Sequence, residues 1–551
     1  MVSNDLEGGI SRKDFLKLVA ATTAALAFDP RKLDAMASAA GSRQGLPVVV
    51  IGGGLGGLSA AALLARSGFP VTLVEQHVKP GGYATTFQRG PFDFDVSLHQ
   101  TASAQEGLRA TLEASGVLGK VETVETPELV RIITPDHDLL WPQRDPDAVV
   151  EQLAGLFPDE EEGVRDFFHL IDGILEEGLK EFDPESWLRR IAFPLTHRRM
   201  WGVRNKTLAD VLDEHVHDER LRAILSSFWP YYGLPPSSLS GFYYCIATAG
   251  YLRFGGHYIR NRSQDLSNAL MEAIESAGGR VMLGAKASFI TLQNGAVSGV
   301  TLSDGTHLPA MAVISNASVP ATMEMLGAGA HQSDEVREYL ERLDSYRPAL
   351  SSFVVWLGLN REIRGTVDGY EIFVLSGYDP EKAYQSWLAC DPVDADFGVT
   401  VYDNAFEGYS QPGTSTVAVL MLSGYEPWRQ YEADYFAGRK DAYNAEKQRI
   451  AGILIQNAEE RVIPGLSSMI DVIEIGTPLT NRRYTGNPQG AIYGYEQSLA
   501  NAFMTRLPNT TPFEGLYLAS AWTNPGGGYQ PCLQSGTMAA QRVMSEWDVG
   551  S

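Results

Sequence analysis

Four β-branched residues run straight into a cluster of glycines at Val48-Val49-Val50-Ile51-Gly52-Gly53-Gly54-Leu55-Gly56-Gly57. A short run of this kind predicts a strand buried on both faces. The glycines hold G-x-G-x-x-G at Gly52, Gly54 and Gly57, and the Ala- and Leu-rich stretch from Leu58 to Arg66 predicts a helix, closed by Gly68. A second strand, Val71-Thr72-Leu73-Val74-Glu75, ends on an acid 18 positions after Gly57. Each of these residues answers a need of a bound dinucleotide. The first glycine permits the tight turn, the second lets the backbone approach a pyrophosphate, and the third lets helix and strand pack closely. The helix start, with Leu55 and Gly56, offers unpaired N–H groups to phosphates. Glu75 accepts hydrogen bonds from ribose hydroxyls. G-x-G-x-x-G alone is common in loops; with strand, helix and acid in place it reads as a Rossmann-type βαβ unit able to hold NAD or FAD.

A chain of 551 residues carries two or three folded regions, or one large domain with a second inserted in it. Its net charge of -23 argues against nucleic-acid binding, which needs clustered Lys and Arg. Anionic lipid would also repel it, so peripheral membrane contact requires a local basic patch. Cys245, Cys390 and Cys532 lie far apart without C-x-x-C spacing and read as packing residues, with neither a zinc site nor a disulfide framework. No Ser-His-Asp set, paired-carboxylate signature or metal-spaced histidine pair stands out, so hydrolytic and metal-assisted chemistry fall away. The first forty residues read as an address. Ser11-Arg12-Lys13-Asp14-Phe15-Leu16-Lys17 resembles the twin-arginine export motif, with Lys13 where the second arginine normally stands. An apolar stretch from Leu18 to Phe28 and A-x-A spacing over Ala35 to Ala39 complete a cleavable signal, implying a periplasmic or exported protein. The alternative is a short amphipathic helix on a cytoplasmic, membrane-associated one.

The segment after the ribose-binding strand favours FAD over NAD. Lys79-Pro80-Gly81-Gly82-Tyr83-Ala84-Thr85-Thr86-Phe87 brings a second glycine pair, and Gly90-Pro91-Phe92-Asp93-Phe94-Asp95-Val96-Ser97-Leu98-His99 comes directly after it. Here the chain resembles the phytoene desaturase, carotenoid isomerase and retinol saturase superfamily of flavoproteins. The resemblance implies that Gly81, Gly82 and Tyr83 lie against the FAD diphosphate and ribityl chain. It extends over residues 263–320, read as a helix from Asp265 to Ala277, a strand pair turning at Gln293-Asn294-Gly295, and Val313 to Ala317. The matching position for a main-chain contact to adenine is Ala287. Gly476-Thr477-Pro478-Leu479-Thr480, Tyr484 to Asn487 and Gly490 to Gly494 resemble the family's late signature, read as a loop and strand beside the flavin. Near the C-terminus, a strand over Gly515 to Ala521 leads into Trp522-Thr523-Asn524-Pro525-Gly526-Gly527-Gly528 and a helix from Leu533 to Trp547. By resemblance Ala521, Gly527 and Gly528 wrap the isoalloxazine, and the helix aims its positive end at the pyrimidine ring.

The expected fold is therefore α/β: a two-dinucleotide-binding-domain flavoprotein, with a Rossmann-like FAD domain and an inserted α+β substrate domain. The FAD domain is expected from 46–100, 255–325 and 505–548, and the substrate domain from 101–254 and 326–504. Within the latter, apolar spacing predicts helices over Ala148 to Phe157 and Val164 to Leu179, strands over Ser351 to Leu357 and Ser415 to Leu422, and a long helix near Asp441 to Glu460. Candidate catalytic residues are His99, for proton transfer, and Tyr493. The resemblance implies an apolar polyene or isoprenoid substrate and desaturation, saturation or isomerisation of a C–C bond, with hydride exchanged at flavin N5. The aromatic run Phe228-Trp229-Pro230-Tyr231-Tyr232-Gly233 with Phe242-Tyr243-Tyr244 suits an apolar tunnel and equally an ordinary core. Ile259-Arg260-Asn261-Arg262 replaces the family's Pro-x-Gly-Gly and places a charged pair near the expected site. Export would remove soluble NADPH and make a quinone, a cytochrome or oxygen the electron partner. An amine or amino-acid oxidase of the same fold, and a non-catalytic binder of Rab-escort-like fold, are the alternatives.

Overall fold

The computed structural model describes residues 47–102, 107–180, 187–327, 333–502 and 505–546; the leader read as an export signal lies outside them. Val48–Ile51 forms the central strand of a five-stranded parallel sheet and is buried throughout. On one side lie Val71–Glu75 and then Arg280–Leu283; on the other lie Ala312–Ser315 and then Leu516–Leu518. The chain thus winds outward in both directions from Val48–Ile51, and ligands of such sheets bind where the winding reverses, beyond the carboxyl ends of the strands. Gly52 and Asn316 stand at that point, tied by the Asn316 N–H donating to the Ile51 carbonyl at 2.7 Å.

The helix after the glycines runs Leu55–Arg66, three residues longer at its start than the sequence suggested. Close packing is the reason: every residue from Leu55 to Ala65 is buried, so the glycines at 56 and 57 join the helix where a larger residue would not fit. Its main partner is the C-terminal helix Tyr529–Glu546, where a Cβ on Gly536 would fall 2.1 Å from the Gly56 carbonyl oxygen.

The second layer is a seven-stranded sheet in the order Ile470–Gly476, Ser351–Leu359, Ser415–Ser423, Phe397–Val401, Glu371–Val374, Val130–Ile133, Asp138–Trp141. It is antiparallel except where Glu371–Val374 runs parallel to Val130–Ile133. Helices Pro146–Leu156, Glu161–Gly178 and Gly241–Phe254 pack into the same core, as do Leu454 and Ile455 of the helix Asp441–Arg461.

The stretch expected as a loop and strand beside the flavin is instead the helix Pro478–Thr485. Thr477 caps it, accepting from the Thr480 N–H at 3.4 Å, and proline takes its first position. That pairing is a helix-start signature. The charged pair at Arg260 and Arg262 also falls elsewhere than expected. Arg260 pairs with Glu122 at 2.5 Å on the surface, and Arg262 lies over the Tyr409 ring, so neither reaches the large cavity between the glycine turn and the second sheet.

Candidate cofactor and substrate site

A single continuous cavity of about 1130 Å³ runs from the glycine turn to the floor of the seven-stranded sheet. Ordinary small-molecule sites span roughly 300 to 1,000 Å³, so this one has room for a large cofactor and a further ligand.

At the nucleotide end its wall carries Gly52, Gly54, Leu55, Gly56 and Glu75. Gly52 sits at φ +93, a conformation that favours glycine, and its N–H donates to the Val74 carbonyl at 2.8 Å. The helix Leu55–Arg66 begins with Gly54 as its cap, with no side-chain hydrogen bond and no acid in the first turn. Its first N–H groups are thereby free for an anion. Glu75, 6 % exposed, accepts from the Gly53 N–H at 2.6 Å and the His77 N–H at 2.8 Å. A carboxylate offers roughly four acceptor positions, so about two remain for ribose hydroxyls. Gly81 (φ +124) and Gly82 (φ +59) close against the turn through the Gly81 N–H, which donates to the Gly53 carbonyl at 2.6 Å. Tyr83 continues this loop, and Ala287, Ala521 and Gly528 complete the cradle. Two residues expected to touch the cofactor stand behind the wall. Gly57 packs against the Gly52 backbone, and Gly527 lies under Tyr493, whose Cα would be 3.0 Å from a Cβ there. These glycines leave space that side chains would fill, and the backbone donors with the acid Glu75 beside them match a flavin dinucleotide: the residues present fit FAD.

Replacing Glu75 by Ala is expected to raise the dissociation constant for FAD about 10- to 100-fold, since hydrogen bonds to a charged group contribute roughly 1.5 to 3 kcal/mol. Titration of the apoprotein with FAD measures it. An unchanged constant would remove Glu75 from the ribose.

The far end is apolar. Val354, Phe373, Leu375, Phe397, Leu420 and Leu422 form its floor on the sheet. The aromatic run divides here: Trp229, Pro230 and Tyr231 line the cavity, while Phe228, Phe242 and Tyr244 are core. Cys532, expected as packing, borders the cavity. The helix Pro478–Thr485 contributes Thr480, Asn481, Tyr484 and Thr485 to the wall. Both candidate catalytic residues reach it too. Tyr493 packs over Gly233 and Gly527 and donates to the Pro230 carbonyl at 3.3 Å. His99 lies with Nδ1 2.8 Å from Thr400 Oγ1, and burial pushes its pKa down to about 4. Glu371, which opens an apolar strand, also lines this end, and burial pushes its carboxyl up to about 8. Nothing in the local pattern Glu-Ile-Phe-Val marks it; the signal lies in partners distant in sequence.

A sequence model of the family described as flavin containing amine oxidoreductase matches residues 55–544. The chain belongs to this family. As a flavin containing amine oxidoreductase it is an FAD-dependent oxidoreductase, of the fold shared by solved flavoenzymes. Among curated relatives, the all-trans-retinol 13,14-reductase of Danio rerio is 26% identical over 502 residues, covering 86% of this chain and 82% of the relative. The chloroplastic prolycopene isomerase of Arabidopsis thaliana is 25% identical over 514 residues, covering 90% and 82%. These relatives place the flavin containing amine oxidoreductase within the phytoene desaturase, carotenoid isomerase and retinol saturase-like superfamily that its motifs resemble. Among solved structures, an oxidoreductase from Methanosarcina mazei superposes with a TM-score of 0.59 at 17% identity, over 91% of this chain and all (100%) of the other. A putrescine oxidase double mutant gives 0.60 at 14% identity, over 91% and 99%.

Proposed function

We propose that this FAD-dependent oxidoreductase acts on C–C or C=C bonds of a long apolar polyene, of retinoid or carotenoid type, saturating, desaturating or isomerising them. The observation that carries the reading is the apolar chamber continuous with the cofactor cradle, floored by Val354, Phe373, Leu375, Phe397, Leu420 and Leu422. Such a floor binds hydrocarbon by burial, at about 25 cal/mol per Å² of apolar surface. The retinol reductase and prolycopene isomerase relatives support the same substrate class. When bound, FAD supplies the two-electron redox chemistry. The chain's own part is to hold the polyene, exclude water with Trp229, Tyr231 and Tyr493, and move protons at the chamber wall.

The test is anaerobic mixing of chemically reduced holoenzyme, and in parallel of oxidised holoenzyme, whose flavin a desaturation would bleach, with all-trans-retinol and, separately, with prolycopene. Saturation is expected to reoxidise the flavin as polyene absorbance is lost, and isomerisation to shift the absorbance with no net flavin oxidation. Unchanged spectra with both compounds would sink the reading.

Amine oxidation is the second reading, because Glu371 and Asp396 place two carboxyl groups on the wall that an ammonium could meet. Asp396 is already engaged by the Ser376 N–H at 2.7 Å and hydroxyl at 2.8 Å, which leaves it a poor anchor. Peroxide release with a panel of amines decides that alternative.

A further inference from the structure

The acids on the cavity wall are nearly all accounted for. Glu75 is held by the glycine turn, Glu474 pairs with Arg89 at 2.5 Å, Asp396 ties Ser376, and Glu324 is exposed. Glu371 differs. It is 1 % exposed, faces the apolar chamber, and has no ion-pair partner among the described residues. Nothing in the cofactor cradle uses it.

Its neighbours form a line. Glu371 lies directly across the antiparallel ladder from Thr400, whose Oγ1 is 2.7 Å from Glu371 Oε2. The same Oγ1 is 2.8 Å from His99 Nδ1. Tyr402 stands 3.3 Å from that nitrogen while donating its own proton to the Leu98 carbonyl at 3.1 Å, so toward His99 it can only accept. His99 Nε2 has no hydrogen-bond partner among the described residues. Tyr231, also on the wall, accepts from Gln100 Nε2 at 3.3 Å.

A threonine hydroxyl has one proton, and here two sites compete for it. When Glu371 is a carboxylate, Thr400 donates to it, and His99 donates its Nδ1–H to Thr400 and Tyr402. When Glu371 is an acid, it donates to Thr400, and Thr400 donates to Nδ1. The Thr400 hydroxyl points opposite ways in the two arrangements.

We propose that Glu371 is the acid–base catalyst of the C–C redox reaction, and that Thr400, backed by His99, is the positioning residue that holds its carboxyl. This rests on the reading of the chamber as a polyene site. Saturating a C=C bond breaks the π bond and forms two C–H bonds. One takes a hydride, supplied by reduced FAD, and the other takes a proton. Glu371 gives that proton and becomes a carboxylate. It recovers its proton from water entering the chamber, and the Thr400 hydroxyl turns between the carboxyl and His99 Nδ1 as the charge on Glu371 changes. The substrate gains two electrons and the flavin loses them. Desaturation runs the same steps backward, with Glu371 starting as the base.

The protonation states suit this role. With its carboxyl pushed up to about 8 by burial, Glu371 keeps its proton at neutral pH, while the His99 imidazole, pushed down to about 4, stays neutral. The groups facing Glu371 do not supply a competing charge. Tyr231, Tyr370, Tyr402 and Tyr493 are phenols that burial holds protonated. On the flanking strand side, Arg131 pairs with Asp138 at 2.6 Å and Glu128 accepts from the Tyr370 N–H.

The test uses flavin-loaded enzyme in two measurements. The first is infrared titration: the parent is expected to show a protonated-carboxyl band at neutral pH that titrates near 8 and is missing from Glu371→Gln. A Glu371 that titrates in the ordinary carboxylate range overturns the proposal. The second is single-turnover oxidation of chemically reduced enzyme by all-trans-retinol. Glu371→Gln is expected to slow it about 100-fold or more, with FAD content and chemical reduction unchanged. The parent rate should be flat below about 8 and fall above it. Thr400→Val removes a donor to the carboxylate, so the falling limb should move to higher pH, whereas a residue that only packs there would leave the limb in place. Equal rates in Glu371→Gln and parent, or an unmoved limb in Thr400→Val, overturn the proposal. Failure of the parent itself to react with any polyene sinks the functional reading instead. The infrared titration then decides Glu371 independently.

Discussion

Gly57→Ala is expected to give a protein that purifies with little FAD and unfolds roughly 4 to 6 °C below its parent. The added Cβ would stand 2.0 Å from the Gly52 carbonyl oxygen, 3.2 Å from its carbon and 3.1 Å from Asn316 Cβ. The first two are backbone atoms of the phosphate turn, so no rotamer change relieves the clash. Either the helix Leu55–Arg66 moves off the sheet, or Gly52 leaves its φ of +93 and the turn opens. Overpacking of this kind costs roughly 1 to 3 kcal/mol. Loss of the cofactor adds to it, because a ligand present at a thousand times its dissociation constant contributes about 4 kcal/mol. The ratio of flavin to protein absorbance and the thermal midpoint with and without added FAD measure both parts. Gly250→Ala is the matched control: it lies within the helix Gly241–Phe254 with nothing within 4 Å of a new Cβ, and it should leave both quantities unchanged. Full flavin content in Gly57→Ala would show that helix and turn are not in backbone contact.

That glycine was readable from the chain because its requirement is local. A strand, a turn and a helix that must touch leave one permitted residue at each contact, and all three lie within ten positions of one another. Element limits were less legible where local rules mislead. Glycines discourage a helix, so the Ala- and Leu-rich pattern marks it only from Leu58, whereas burial against Tyr529–Glu546 overrides propensity and starts it at Leu55. The C-terminal helix, expected from Leu533, begins at Tyr529, since the proline at 531 is tolerated in a first turn. At Pro478–Thr485 the capping threonine and leading proline were present in the sequence, and the family likeness drew the reading toward a strand.

The substrate end was illegible for a different reason. Its chemistry is assembled from residues far apart: Thr400 meets Glu371 across 29 positions and His99 across 301. The acid opening the strand Glu371–Val374 looks like any polar residue at a strand end, and only the ladder to Phe397–Val401 gives it a partner. Arg260 and Arg262 show the converse error. Charges judged to be near the site from chain position lie away from it once Gly256–Ile259 pairs with Thr123–Glu125, Arg260 at the surface and Arg262 packed over the Tyr409 ring. A motif that binds a cofactor through the backbone survives in sequence; a site built by side chains from several strands does not.

The same distinction predicts a large loss of stability for Asp95→Ala and a small one for Asp95→Asn. Asp95 ends the hairpin Thr86–Arg89 and Phe92–Asp95 and is completely buried. Its Oδ1 accepts from Thr86 Oγ1 at 2.9 Å, the Ser263 N–H at 3.1 Å and the Ser263 hydroxyl, and its Oδ2 accepts from the Tyr258 hydroxyl. Alanine takes the shared acceptor from four donors at the start of the helix Ser263–Ser276 and leaves the buried Ser263 N–H with none, a loss of roughly 3 kcal/mol. Asparagine can keep its oxygen toward the three donors on one side. Its NH₂ then faces Tyr258, which can accept it by turning its own proton to the Tyr409 hydroxyl, 3.3 Å away. Denaturant unfolding with bound flavin monitored in parallel measures the difference, and equal losses in the two variants would show that the carboxyl does not organise this junction. The pH dependence carries a sign as well. Burial raises the native Asp95 pKa, so above the usual carboxylate range the unfolded chain has released a proton that the native state still holds. Parent stability therefore falls as pH rises through that window, whereas Asp95→Asn has no such term. The deficit of Asp95→Asn relative to the parent should accordingly be largest in acid and narrow toward neutral pH.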